Sequence, residues 1–96
     1  MAALFCLGIV WQARAFPEDT AEEARRAKEA MLSRHYSEAV AIYRRMAKEL
    51  PDEAGVRFNL ALALHSAGHY RESTQILESI RGAGGNNPRF WFLLGE

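Results

Sequence analysis

Past Pro17, apolar residues recur at intervals of three and four: Ala24, Ala27 and Met31, then Val40, Tyr43 and Ala47. That spacing lays them along one stripe of a helix, and no run of β-branched and aromatic residues alternates with the period of two that a half-buried strand requires. The stripe is broken where turn chemistry appears. Ser33 to Tyr36 interrupts it first, Pro51-Asp52 second, and Gly68 marks a third short turn, while "GAGGNN", Gly82 to Asn87, reads as a flexible loop. The pattern predicts five helices: Ala21 to Leu32, Ser37 to Leu50, Glu53 to Ser66, Arg71 to Ile80, and Pro88 onward. Thr20 and Glu23 have capping-box spacing at the first, and Asn87-Pro88 supplies a cap and a first-turn proline for the last.

The helices repeat. A shift of thirty-four residues lays "SRHYSEA" on "AGHYRES", so that His35 falls on His69, Tyr36 on Tyr70 and Ala39 on Ser73. The same shift carries Ala27 to Ala61 and then to Gly95, Leu60 to Leu94, Val56 to Phe90, and Phe58 to Phe92. A helix-turn-helix unit of this length resembles the tetratricopeptide repeat, with its W-x2-L-G-x2-Y, A-x3-F and closing P. Trp91, Leu94 and Gly95 match the opening positions of a third unit, and Ala39, Tyr43 and Pro51 the closing half of the first. The second unit supplies Leu60, Ala61, Tyr70, Ser73 and Leu77. Departures are Glu23 and Arg57 at the tryptophan position, Met46 and Ile80 in place of a small residue, and Gly85 in place of the second proline. The resemblance implies an all-α fold, a right-handed α-solenoid of antiparallel helix pairs. Its units would run 20–53 and 54–87, followed by the first helix of a third over 88–96 and preceded by a linker at 16–19.

Physical reasons for these residues can be given directly. Paired helices approach closely only where one side is small, so Ala27, Ala61 and Gly95 are expected to lie against bulky partners such as Tyr43 and Leu77. Tyr36 and Tyr70 are expected to wedge the turns with their rings inward and hydroxyls wet. Gly68 relieves a tight turn that Arg34 must accommodate in the first unit. Stacked repeats bury each face only against a neighbour, so Phe90, Trp91 and Leu94 should cover Ile76, Leu77 and Ile80. The last nine residues, "PRFWFLLGE", are then apolar on their far side as well. Three readings explain this: the chain is a piece of a longer repeat protein, it forms a homodimer through the C-terminal helix, or that helix seats a partner's helix.

In function, the resemblance implies a scaffold that binds a protein or peptide on the concave face lined by the first helices of successive pairs. The positions carried onto that face are Ala24, Lys28, Met31 and Leu32, then Phe58, Asn59, Leu62, His65 and Ser66, then Arg89, Phe92 and Leu93. Some family members clamp a C-terminal carboxylate there with basic and Asn side chains. Asn59 and Arg89 fall on two of those positions, but Ala24 and Leu93 stand where cations belong. An apolar helix or extended apolar peptide is therefore the expected ligand, anchored by Phe58 and Leu62. The alternative is an accessory segment of a larger exported protein, with no ligand of its own.

Composition and chemistry narrow the field further. Twelve Lys plus Arg balance twelve Asp plus Glu, which gives no basic footprint for nucleic acid. The first fifteen residues, with an apolar run from Ala2 to Trp11 and Ala13-Arg14-Ala15 after it, resemble a signal peptide cleaved after Ala15. That run is too short to serve as a membrane-spanning anchor. Export to the periplasm or medium is thus expected if the signal is genuine, and a cytoplasmic location if not. Cys6, the single cysteine, lies within it, and bulky Phe5 before it argues against a lipid attachment site. His65 and His69 are four residues apart, but Gly68 breaks the helix that would align them for a metal. No nucleophile elbow, phosphate-binding glycine loop or zinc-protease motif occurs, so neither an enzyme nor a cofactor is expected.

Overall fold

The structure is a computed structural model of the chain whose described residues are 20–95. The signal segment, Cys6 and the linker at 16–19 lie outside them. Five α-helices follow in order: α1 (20–32), α2 (Tyr36–Glu49), α3 (Ala54–Ser66), α4 (Tyr70–Ser79) and α5 (Pro88–Leu94). A single 3₁₀ turn, Arg81–Ala83, lies between α4 and α5, and there is no strand among the described residues. Each helix packs on the next, and α3 also touches α5. The predicted five helices are present with ends moved by a residue. Thr20 is already helical, and the Glu23 carboxylate accepts from Arg45 Nε on α2 at 2.6 Å.

The thirty-four-residue period is visible in the backbone hydrogen bonds that end α1 and α3. The His35 amide donates to the Ala30 carbonyl at 2.8 Å and the Arg34 amide to Met31 at 3.1 Å; His69 to Leu64 and Gly68 to His65 match them at 2.8 and 3.0 Å. This crossed pair of bonds is the Schellman arrangement, which satisfies the last carbonyls of a helix by placing one residue in the left-handed region. That residue is Gly68 at φ 89° and Arg34 at φ 64°. His35 and His69, which follow, share φ near −90° with ψ 66°.

Burial divides into two cores with α3 common to both. On one side Ala27 and Ala30 of α1 meet Ala39, Val40, Ile42, Tyr43 and Met46 of α2 and Leu60, Ala63 and Leu64 of α3. On the other, Ala61 of α3 meets Leu77, Ile80, Phe90 and Leu94. The small positions do their expected part at Ala27 and Ala61, both fully buried. Ser73, the counterpart of Ala39, is buried there too and donates its hydroxyl to the Ala61 carbonyl at 2.8 Å. Gly95 differs. It is exposed, at φ 92°, and forms the left-handed cap of α5 instead of a contact surface. Phe90, Trp91 and Leu94 do pack with Ile76, Leu77 and Ile80.

The "GAGGNN" segment is exposed except at Gly84, where it is tied to α5. Gly84 is buried, and a Cβ there would meet the Phe90 ring at 2.5 Å. Gly85, at φ 51°, presents its carbonyl to the Trp91 indole Nε1–H at 2.8 Å. Composition signals flexibility only while nothing is packed against the glycines, and here an aromatic ring occupies the space a side chain would take.

An ion pair joins the units, Arg44 Nη1 to Glu72 Oε2 at 2.6 Å between α2 and α4. The hydrogen bond from Arg44 holds the Glu72 carboxyl below the ordinary carboxylate range, assisted by the attraction of the same guanidinium and opposed by partial desolvation. A depressed folded-state pKa stabilises the fold above the unfolded value, and this contribution fades as pH falls through the folded one. Because both side chains are largely in water, the amount is about 0.5 kcal/mol. Urea unfolding at pH 7 and pH 3 should show Glu72→Gln losing less stability on acidification than the parent, by about that amount. At the turns, Arg34→Gly should raise the unfolding free energy measured in urea and Gly68→Ala lower it, each by about 1 kcal/mol, the cost of a Cβ in the left-handed region.

Candidate functional site

The first turn of the superhelix encloses a groove of about 590 Å³ lined from four helices. Lys28, Met31 and Leu32 come from α1, Tyr36 and Tyr43 from α2, Asn59, Leu62 and Ser66 from α3, and Arg89 from α5. The spacings explain the convergence. Lys28, Met31 and Leu32 are three and four apart, as are Asn59, Leu62 and Ser66, so each trio lies along one face of its helix. Tyr36 and Tyr43, seven apart, share a face of α2 in the same way.

Six of the expected concave-face residues thus meet, with Ser66 as a seventh. Others do not. Phe58, expected as an anchor, turns into the second core, where its ring stacks on Phe90 with centroids 6.1 Å apart. Ala24 packs against the first core and Leu93 against the second. His65 lies edge-on to the Tyr70 ring at 4.9 Å, and Phe92 stands 77% exposed outside the groove lining. Around α3 the groove residues Leu62, Ser66 and Asn59 occupy one arc and Phe58 lies at its edge, about 100° from Asn59, on the side where Phe90 receives its ring.

Two groove residues were read from sequence as purely structural. Tyr36 is half-buried and borders the groove, and Tyr43 lines it while being largely buried in the first core. Burial pushes the Tyr43 phenol above its ordinary range. Tyr70 does not repeat the behaviour of Tyr36. It is 60% exposed.

Charge in the groove is one-sided. Lys28 and Arg89 are its fully charged members and no carboxylate lines it among the described residues. Neither cation is engaged in an ion pair there, whereas Arg25, Arg44, Arg45 and Arg81 each hold a glutamate. Among the described residues no group of three or more His, Cys, Asp or Glu side chains could hold a metal ion. No helix among them is long and apolar enough to cross a membrane.

The divided roles of Phe58 and Leu32 can be measured. Phe58→Ala should cost about 2 kcal/mol or more in urea unfolding, less than the roughly 3–5 kcal/mol for a fully buried aromatic because its ring is only partly buried. Leu32→Ala, at a residue 78% exposed, should change stability by less than about 0.5 kcal/mol. Equal effects would place the two side chains in like environments.

Neither a curated protein nor a solved structure was found to match the chain. A family model does: that of the tetratricopeptide repeat matches residues 22–96, the span that contains the helix pairs, both Schellman turns and the groove. Repeats of this kind generally mediate protein–protein interaction and are typically non-catalytic scaffolds. By its thirty-four-residue period, its paired helices and this match, the chain belongs to the tetratricopeptide repeat family.

Proposed function

We propose that the groove binds an extended acidic segment of a partner protein. Apolar side chains of that segment seat against Met31, Leu32 and Leu62, and its carboxylates reach Lys28 and Arg89. The observation that carries this reading is the pair of cations, from α1 and α5, that have no ion-pair partner among the described residues and border a groove with no carboxylate among them. Such a site favours negative charge and repels cationic segments, which gives selectivity by sign. Asn59 adds a side-chain amide that can donate or accept toward the main chain of an extended ligand. The groove volume falls within the range of built binding sites.

This differs from the purely apolar ligand expected from the sequence. With Phe58 withdrawn into the core, the apolar part of the groove shrinks to three aliphatic side chains and two tyrosines, and the cations at its borders become its strongest chemistry.

Fluorescence anisotropy with an acetylated eight-residue peptide alternating leucine and aspartate tests the proposal. Lys28→Glu and Arg89→Glu should each weaken binding about tenfold or more at low salt, since each replaces a charge-assisted contact by repulsion. A peptide alternating leucine and lysine should not bind. Affinity for the acidic probe that is unchanged in both variants would overturn the reading.

A further inference from the structure

Arg89 is the sole groove residue that α5 contributes, and α5 is only seven residues long. A helix of that length has no stability of its own in water, so the place of Arg89 is set by whatever holds α5. Phe90 and Leu94 fix one side of it in the second core. Trp91 and Leu93 also pack against that core, and further restraints come from the loop before it.

Those restraints form a connected path. Arg81 pairs with Glu78 of α4 and lies over the Trp91 ring, its guanidinium carbon 5.6 Å from the centroid. The Trp91 indole donates to the Gly85 carbonyl at 2.8 Å, and the neighbouring Gly84 lies against the Phe90 ring. The Asn87 amide donates to the Gly84 carbonyl at 3.0 Å, and the Asn87 side-chain oxygen accepts from the Arg89 amide at 3.0 Å. The loop therefore grips α5 at Phe90, at Trp91 and at Arg89 itself.

The geometry points to Trp91 and Asn87 as positioning residues that hold Arg89 at the groove, although neither lines it. This rests on the reading of the groove as an acidic-segment site. Trp91 is the specific element, because its indole N–H donates to the Gly85 carbonyl, a donor that phenylalanine lacks. The loop, with its three glycines, is thereby a latch that sets ligand affinity from outside the groove.

Two measurements test this. Hydrogen exchange on the unliganded protein should show the Arg89 amide exchanging about three- to tenfold faster in Trp91→Phe, the worth of one hydrogen bond and a weak cation–π contact, with α2 amides unaltered. Asn87→Ala should act likewise and Asn87→Ser should restore protection, since serine also caps. In the second measurement, Trp91→Phe should weaken the leucine–aspartate probe by a similar factor when Arg89 is present and leave affinity unchanged in an Arg89→Ala background.

Independent losses from Trp91→Phe and Arg89→Ala would mean that Trp91 acts by general stability, and would overturn the latch while sparing the groove. Probe binding indifferent to Lys28 and Arg89 would remove the groove reading. The exchange experiment would still decide whether Trp91 and Asn87 hold Arg89, and unaltered Arg89 exchange would overturn that too.

Discussion

Everything in this fold depends on α3 being buried on two sides at once. Leu60, Ala63 and Leu64 close the first core and Ala61 opens the second. A helix that serves two cores cannot keep a wide polar face, which is why α3 is apolar around most of its circumference while α2 and α4 are amphipathic. Close approach is possible because the contact positions are small. Ala27 and Ala61 admit the second helix of each pair, and Ala39 and Ser73 are the small residues presented to them. Where the opposing residue is polar, its hydroxyl is accommodated on the Ala61 carbonyl. The burial that stabilises the chain is thus distributed along its length, each unit supported by the next, as expected for a quasi-one-dimensional repeat architecture.

The helices and their period were legible in the sequence because both are written in local terms. Apolar spacing of three and four, a proline or glycine at every break after the first, and the His-Tyr pair that follows both Schellman turns all concern residues close together in the chain. The Schellman turns explain the pairing of Arg34 with Gly68: the backbone demands a left-handed residue there whatever the side chain. The loop from Gly82 to Asn87 was less legible for the complementary reason. Its tie to α5 comes from Phe90 and Trp91, and nothing in a glycine's identity says whether a ring will settle on it. Gly95 was misread similarly, since the period marks it as a small contact position while its positive φ makes it a terminator.

The groove was legible in part. Lys28, Met31, Leu32, Asn59, Leu62 and Arg89 follow from which helix face points inward, a matter of periodicity. Phe58 shows the limit. Its neighbour Asn59 does face the groove, and the ring's choice of the core is decided by Phe90, thirty-two positions away in the chain. Tyr36 and Tyr43 were missed for another reason. Residues already explained by packing were not asked for a second role, yet a side chain between two helices can present one edge to the core and another to solvent.

The period repeats the backbone without repeating the chemistry. Carried forward one unit, Lys28 becomes Leu62, Met31 becomes His65, Leu32 becomes Ser66 and Asn59 becomes Leu93. The charge at α1 has no counterpart at α3, and Tyr43, a groove wall in the first unit, becomes the fully buried Leu77 in the second. Residues that maintain the helix pairs, such as Ala27 and Ala61, are preserved across the shift, while those facing the groove are not. A scaffold with uniform steric rules at its contacts and unconstrained positions on its inner face can therefore vary what it binds without altering how it folds. The two cations of the groove come from α1 and α5, beside walls from α2 and α3, so its chemistry belongs to that junction rather than to the repeat as such.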